Sequence, residues 1–515
     1  MFRVLLFFLI LCAGLLQGCA VGPNYHTPAV DVPPQFAAKA EEGAAAASGA
    51  TPQTPAAVQL SGWWHALQDP ELDSLVRRAV DGNPDLMVAL DRLQAARELE
   101  AAVVGAVLPV AQASAGAARG TGSDLTRGRA SQTLISADNT SGFSHINEIG
   151  GFDALWELDV FGKYRREIEA TRYDTQAALA ARNAVLIAVI ADVARAYVDL
   201  RGLQMRAAVV SAAIGVLRES LRIVNIRYQR GITNELDVTL ATRELATFEA
   251  QVAPLNAQIQ AAQYTIATLL GRYPEELLPE LGTSTMVPGV PGVLNVGLPL
   301  DLLRRRPDVQ EAERNLAAAT ARIGVATANL FPAIAVTGAV GFQRQHEGGL
   351  PALGEHIWSA GPTVGWPLLD FGALDAQVEI ADLQTRALLV NYKRTIQTAV
   401  RDVDTSLDAY VAQQQSLEKL ETALVASQRA VTLANERYER GLTDYLNVVD
   451  AERQEYDIEE QYTAVQVAEA EGFIALYRSL GGGWENYQSL PPIHRPEPAV
   501  IAMFQRVLSR SKPFE

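Results

Sequence analysis

The chain has 515 residues, 49% hydrophobic and 20% charged, with 43 Lys and Arg against 59 Asp and Glu for a formal charge of −16. Such a composition belongs to a folded acidic protein with enough chain for a large core. It excludes a nucleic-acid binder, which needs a basic footprint to displace counterions from phosphate.

The N-terminus carries Arg3, an apolar run over residues 4–11 and then Leu16-Gln17-Gly18-Cys19. A spanning helix needs about 20 apolar residues, so residues 1–18 read as a secretory signal. Leu-x-Gly-Cys resembles the lipobox of bacterial lipoproteins. That resemblance implies that Cys19 becomes the first mature residue, bearing an N-palmitoyl group and an S-diacylglycerol. With Ala20 in place of Asp, it further implies the outer membrane. Cys12 leaves with the signal, so the mature chain can form no internal disulfide.

Residues 19–60 are expected to be a lipidated tether, because Ala, Pro, Gly and Ser dominate residues 37–58. Pro288-Gly289, Pro291-Gly292 and Pro299 mark a linker over 283–299, and a Pro-rich tail occupies 483–515. Between these lie two units, 61–282 and 300–482, that repeat each other. Asn225-Ile-Arg-Tyr-Gln-Arg-Gly231 and Asn435-Glu-Arg-Tyr-Glu-Arg-Gly441 lie 210 residues apart, and ten of nineteen positions match from Asn225 to Arg243. Trp156 and Trp366 stand at the same offset, as do Phe161-Gly162 and Phe371-Gly372.

Each unit reads as two strands followed by two long helices. In residues 152–160 the even positions are apolar, and Asp153, Glu157 and Asp159 take three of the four odd ones, a period of two with one wet face. These acids either line an acidic lumen or are solvated. Residues 331–342 alternate large and small, residues 360–368 continue the pattern, and 108–118 is a weaker counterpart. About ten alternating residues suit a membrane β-barrel strand. A small soluble sheet is the other reading. No proline occurs from Lys163 to Ala253 or from Ala373 to Leu490, and Ala, Leu, Glu, Gln and Arg dominate there. Gly231 and Gly441 can take the left-handed conformation that ends a helix. Two helices of about 50 residues, roughly 75 Å each, are expected in each unit. The best candidate for a spanning helix, residues 184–200, contains Asp192 and Arg195 and is rejected. Four strands cannot close a barrel, because an open edge in lipid leaves backbone groups unpaired.

Taken together, Cys19-Ala-Val-Gly-Pro-Asn-Tyr25, Trp63-Trp64, Asp69-Pro-Glu-Leu72, Arg304-Arg-Arg-Pro-Asp308, Ala312-Glu-Arg314, Gly324-Val-Ala326, Leu330-Phe-Pro332 and both Arg-Tyr-x-x-Gly elements resemble the outer-membrane factors of tripartite efflux systems. These are the TolC-like channels, here in their lipidated NodT-type branch. The resemblance covers residues 19–481. It implies a mainly α fold with a β-barrel part: a homotrimer sharing a 12-stranded outer-membrane barrel, continued by a periplasmic α-helical barrel. It implies partnership with a periplasmic adaptor and an inner-membrane transporter. It also puts Arg227, Tyr228, Gly231 and Gly441 at the helix-turn tips and Arg437, Tyr438 and Asp450 at the periplasmic gate. Leu240 replaces the Asp in the first repeat. A ring of charge-assisted hydrogen bonds can hold helix ends together and still be exchanged for a partner. Arg437 and Asp450 can equally be an exposed pair contributing about 0–1 kcal/mol.

Catalytic signatures are missing: no Gly-x-Ser-x-Gly, no P-loop, no His-Glu-x-x-His. The six histidines lack ligand spacing, with His346 and His356 expected in a surface loop. Asp370-Phe371-Gly372 is expected at a strand-to-helix turn. No metal or cofactor is expected beyond the covalent lipid. The reading is a passive exit duct driven by a pump; the alternative is a lipid-anchored periplasmic coiled-coil tether, and an enzyme is a distant third.

Overall fold

A computed structural model of the chain describes residues 20–30, 32, 33, 36, 37, 60–121, 144–282, 286–291, 305–347 and 353–487. The expected signal, Cys19, most of the expected linker and the tail beyond 487 lie outside the described residues.

The duplication is visible in the element lengths. In the first half, α1 (Pro70–Gly82) and α2 (Pro84–Ala106) lead into strands β1 (Val110–Thr121) and β2 (Ser144–Leu158), then helices α3 (Lys163–Gln229), α4 (Glu235–Leu269) and the short α5 (Pro274–Leu281). The second half runs α6 (Pro307–Ala328), β3 (Ala333–Glu347), β4 (Leu353–Gly365), α7 (Ala373–Glu439) and α8 (Tyr445–Ser479). Helices α3 and α7 each have 67 residues, and α4 and α8 each have 35. The expected pair of roughly equal helices is thus a long and a short one. At about 1.5 Å per residue the long one spans some 100 Å.

The boundaries follow from glycine. Gly162 and Gly372 take positive φ (83° and 84°) just before the long helices, and Gly271 and Gly481 take positive φ (66° and 72°) just after the short ones. Helix α4 continues through the exposed Pro254, so proline marks no boundary there. Asp370 does cap α7, accepting from the Gly372 and Leu374 amides at 3.3 and 2.7 Å. These backbone donors favour the ionised form and hold its carboxyl below the usual range.

The four strands form one antiparallel sheet in the order β1-β2-β3-β4. His346 lies in β3 and His356 in β4, which corrects their expected loop location: the hairpin strands run further than the alternation of residues 331–342 indicates.

The main core sits where α1, α3, α8 and the turn Leu60–Leu67 meet. Trp63 is stacked on Tyr477 with ring centroids 5.9 Å apart and meets Phe473 edge-on. The apolar stretch of α3 is long enough to cross a membrane by composition, yet its Leu186, Ile190, Val193, Tyr197 and Leu200 are buried in this core. It is a core helix.

The described part of the expected tether is held by the fold: residues 20–30 and 32 form a strap across α3, α6 and α7. Arg166 of α3, itself buried, donates to the carbonyls of Val21 and Gly22 at 3.1 Å and to Asn24 Oδ1 at 2.8 Å. Tyr25 and Thr27 donate to Glu313, and Val30 and Val32 pack on the cluster around Val309, Tyr392 and Ile396. Gly22 has φ 89°, and a Cβ there would lie 2.4 Å from the Gly324 Cα. Gly22→Ala is therefore expected to lift the start of the strap, seen as faster thermolysin cleavage within residues 20–37 with the helical circular dichroism unchanged.

Candidate functional site

The far ends of the long helices carry the repeated Arg-Tyr-x-Arg-Gly elements. Gly231 and Gly441 have φ 69° and 70°. Their amides donate to the Tyr228 and Tyr438 carbonyls, while the Ile232 and Leu442 amides reach back to those of Arg227 and Arg437, all four at 2.9 Å. Each turn is a Schellman motif, which satisfies the last carbonyls of the helix and requires the left-handed residue.

Beyond the backbone the two tips differ. Tyr438 is 7% exposed and Tyr228 is 43% exposed. Tyr438 packs among Val224, Ala241, Val448 and Tyr445, and the Arg227 guanidinium stands 4.5 Å over its ring. Tyr445 lies 5.3 Å away, its hydroxyl 2.8 Å from Ser220 Oγ. Burial pushes the Tyr438 phenol up and the Tyr445 phenol up to about 12. Arg437 and Asp450 are exposed. Among the described residues no hydrogen bond or ion pair joins Arg437, Tyr438 and Asp450. Arg227, which first reads as a simple repeat of Arg437, instead closes the tip from the other hairpin.

Above the tips, α8 is zipped to the first half. Glu244 is buried, with Arg453 at 3.0 Å and Arg243 at 3.5 Å. Tyr456 donates to Gln251 at 3.0 Å and meets Phe248 edge-on at 4.4 Å. Arg206 pairs with Glu460, and Arg478 with Asp192 at 3.3 Å. Glu452, between these, shares a cavity of about 200 Å³ with Phe248, Val216 and Glu455. Burial and the neighbouring Glu455 and Glu244 charges push its pKa up to about 7.

The sheet has two unlike faces. One row across the strands reads Ala113, Phe152, Val340, Trp358, and another carries Trp156, Val336 and Pro362. Phe152, Val340, Phe342, Trp358 and Val364 are all exposed. The opposite row reads Gln112, Asp153, Ala339, Ser359. Asp153 is 4% exposed and accepts from Gln112 at 3.0 Å, which corrects the picture of a solvated acid. Glu157 accepts from Tyr164 and lies 3.8 Å from Lys163, and Asp159 caps α3 and pairs with Arg165. β1 and β4 each keep one edge without a strand partner among the described residues.

The family model for outer membrane efflux proteins matches residues 75–272 and 298–482. The chain belongs to this family. The efflux protein is 30% identical over 475 residues to nodulation protein T of Rhizobium leguminosarum bv. viciae, covering 91% of this chain and 92% of that one. It is 30% identical over 479 residues to the toluene efflux pump outer membrane protein TtgI of Pseudomonas putida, covering 92% and 97%. Among solved structures it resembles the outer-membrane channel OprN, with TM-score 0.78 and 35% identity over 90% of this chain and 100% of that one.

The efflux protein is thus an outer-membrane channel with a periplasmic helical part, a component of an efflux pump and not an enzyme. The motifs that carried the family resemblance now have physical roles. Asp69 caps α1, accepting from the Glu71 and Leu72 amides, and takes the Tyr197 hydroxyl at 2.7 Å. Arg306 grips the Ser479 carbonyl at 2.9 Å beside Gly481 and pairs with Asp308. Gly324 lets the strap and Arg166 approach α6 closely. Sequence reasoning missed Arg166, Arg201, Glu244 and Glu452. Charged residues inside apolar or Ala-rich helical stretches were the available signal for Arg201 and Glu244.

Proposed function

We propose that the chain is the lipid-anchored exit duct of a tripartite pump, a homotrimer whose three sheets share one 12-stranded barrel and whose helices dock with a periplasmic adaptor and an inner-membrane transporter. The single observation that carries this reading is the sheet, apolar and exposed on one face and open at both edges, which in lipid must find strand partners. A tether needs no such sheet.

Two further features support the assembly. Ile380 and Val390 of α7 are exposed, whereas their counterparts 210 residues earlier, Ala170 and Ala180, are buried in α3. A neighbouring copy can cover this flank of α7. Ala20 lies against Gly162 at the top of α3, just below β2, and the Val21 amide donates to the Phe161 carbonyl at 3.1 Å. An N-palmitoyl, S-diacylglycerol Cys19 would then enter the bilayer beside the strands, as a membrane-inserted barrel requires.

At the tips, Arg437 and Asp450 offer exposed charges with no ion-pair partner among the described residues, so neighbouring copies can pair them across the axis. Tyr438 acts from inside, as the packed support of that helix end. Gating then means exchanging those pairs for contacts with the adaptor. The test is single-channel conductance in a planar bilayer. The parent is expected to conduct weakly and Asp450→Ala, Tyr438→Ala to conduct strongly and stably. Equal, substantial conductance would discard the gate and keep the pore. If neither protein conducts when folded and inserted, the duct reading falls.

A further inference from the structure

The duplication specifies a strand pair that one chain cannot contain. Trp156 and Trp366 donate their indole N–H groups to the carbonyls of Val107 and Leu330 at 3.0 and 3.1 Å. The tryptophans lie 210 residues apart and the acceptors 223 apart. Applied to the first hairpin, these two offsets turn Val110 opposite Leu155 into Ala333 opposite Gly365, which is the pairing that β3 and β4 make. The two hairpins therefore share one register.

The remaining pair, β2 with β3, sets Ala154 opposite Gly338 and Leu155 opposite Thr337. Its counterpart under the same offsets is β4 with β1, and these strands stand at opposite edges of the sheet. They can meet only between copies.

We infer that β4 of one copy pairs antiparallel with β1 of a second copy, Val364 opposite Ala115 and Gly365 opposite Ser114, with Phe371 of the first packed on Leu108 of the second. The inference rests on the shared-barrel reading and adds its register. Two observations outside the arithmetic agree. Val364 shares the exposed apolar face with Trp358, and Ala115 is on the same face as Ala113 and Phe152, so the register joins apolar face to apolar face; a slip of one residue would mix the faces. Phe161 of the first half stacks on Phe331 of the second with centroids 4.8 Å apart. Their counterparts are uncovered in the single chain, Phe371 at 97% exposure and Leu108 at 63%.

The mature chain has no cysteine besides Cys19, so engineered pairs can be read cleanly. Val364→Cys with Ala115→Cys, and Gly365→Cys with Ser114→Cys, are oxidised in outer-membrane vesicles beside the slipped pairs Val364→Cys with Ala113→Cys or Ala117→Cys. Native mass spectrometry of each variant reports the oligomer. Adjacent pairs alternate between the two antiparallel geometries, so at least one predicted pair is expected to cross-link copies about tenfold more than either slipped pair. An intact trimer that cross-links only through a slipped pair, or through none, overturns the register and leaves the shared barrel standing. A folded monomer in every variant overturns both.

Discussion

Arg201→Ala is expected to lower the unfolding free energy of the detergent-solubilised protein by about 3–5 kcal/mol, the range seen when one partner of a buried ion pair is removed. The Arg201 side chain is 0% exposed. It donates to Glu71 at 2.5 Å and to Gln204 at 2.7 Å, and it lies 4.7 Å over the Tyr197 ring. Removing it strands a carboxylate whose pKa burial already raises, the Arg201 charge notwithstanding. It also uncouples α1 from α3, because Glu71 sits in the first turn of α1. The pair is thus a liability once broken rather than a large net gain. Arg201→Met combined with Glu71→Gln, which keeps volume and removes both charges, is accordingly expected to recover most of the loss. Urea unfolding followed by circular dichroism separates the two outcomes. A single Ala variant as stable as the parent would show that the network is not holding α1.

The second large effect is a pH dependence centred on Glu452. Its carboxyl titrates near 4.5 when unfolded and about 7 when folded, raised by burial and then by Glu455 and Glu244. In the cavity around it α3 contributes the apolar Val209, Ala212, Ala213, Val216 and Leu217 and α7 the apolar Val431, while Arg453 is the neighbouring cation. A raised carboxyl binds its proton more tightly in the fold. Its stabilising effect is complete below about pH 4.5 and is lost as pH rises through about 7. Glu452→Gln should therefore match the parent at pH 4. At pH 8 it should be more stable by as much as about 3 kcal/mol. Thermal melts at both pH values test this, and equal gains at both would mean that the effect is packing rather than ionisation. Glu455 and Glu459 are also raised by burial, so some pH dependence should persist in the variant.

Several parts of the molecule were legible because they rest on local rules. The two turn glycines, the period-two strands and the long proline-poor helices follow from φ preferences and side-chain spacing within a few residues, and the duplication shows directly as identities at an offset of 210. The unequal division into 67 and 35 residues was harder to see. It depends on where Gly162 and Gly271 stand relative to the tip, and the expected central break gave those positions no weight.

What the sequence by itself determined is the architecture of one repeat and the fact that there are two. Tertiary structure alone decided which copy of each repeated residue is buried. Tyr228 and Tyr438 sit in the same local motif, yet only Tyr438 is enclosed, because the first hairpin brings Val224, Ala241 and Arg227 against it. Asp153 belongs to an alternating acidic face, yet it is sealed beside Gln112 and Ala339. The strap residues read as tether until Arg166 and Glu313, far along the chain, hold them. Local conformation is set by neighbours in sequence, whereas burial and ion pairing are set by whichever helix lies alongside, and no repeat pattern specifies that partner.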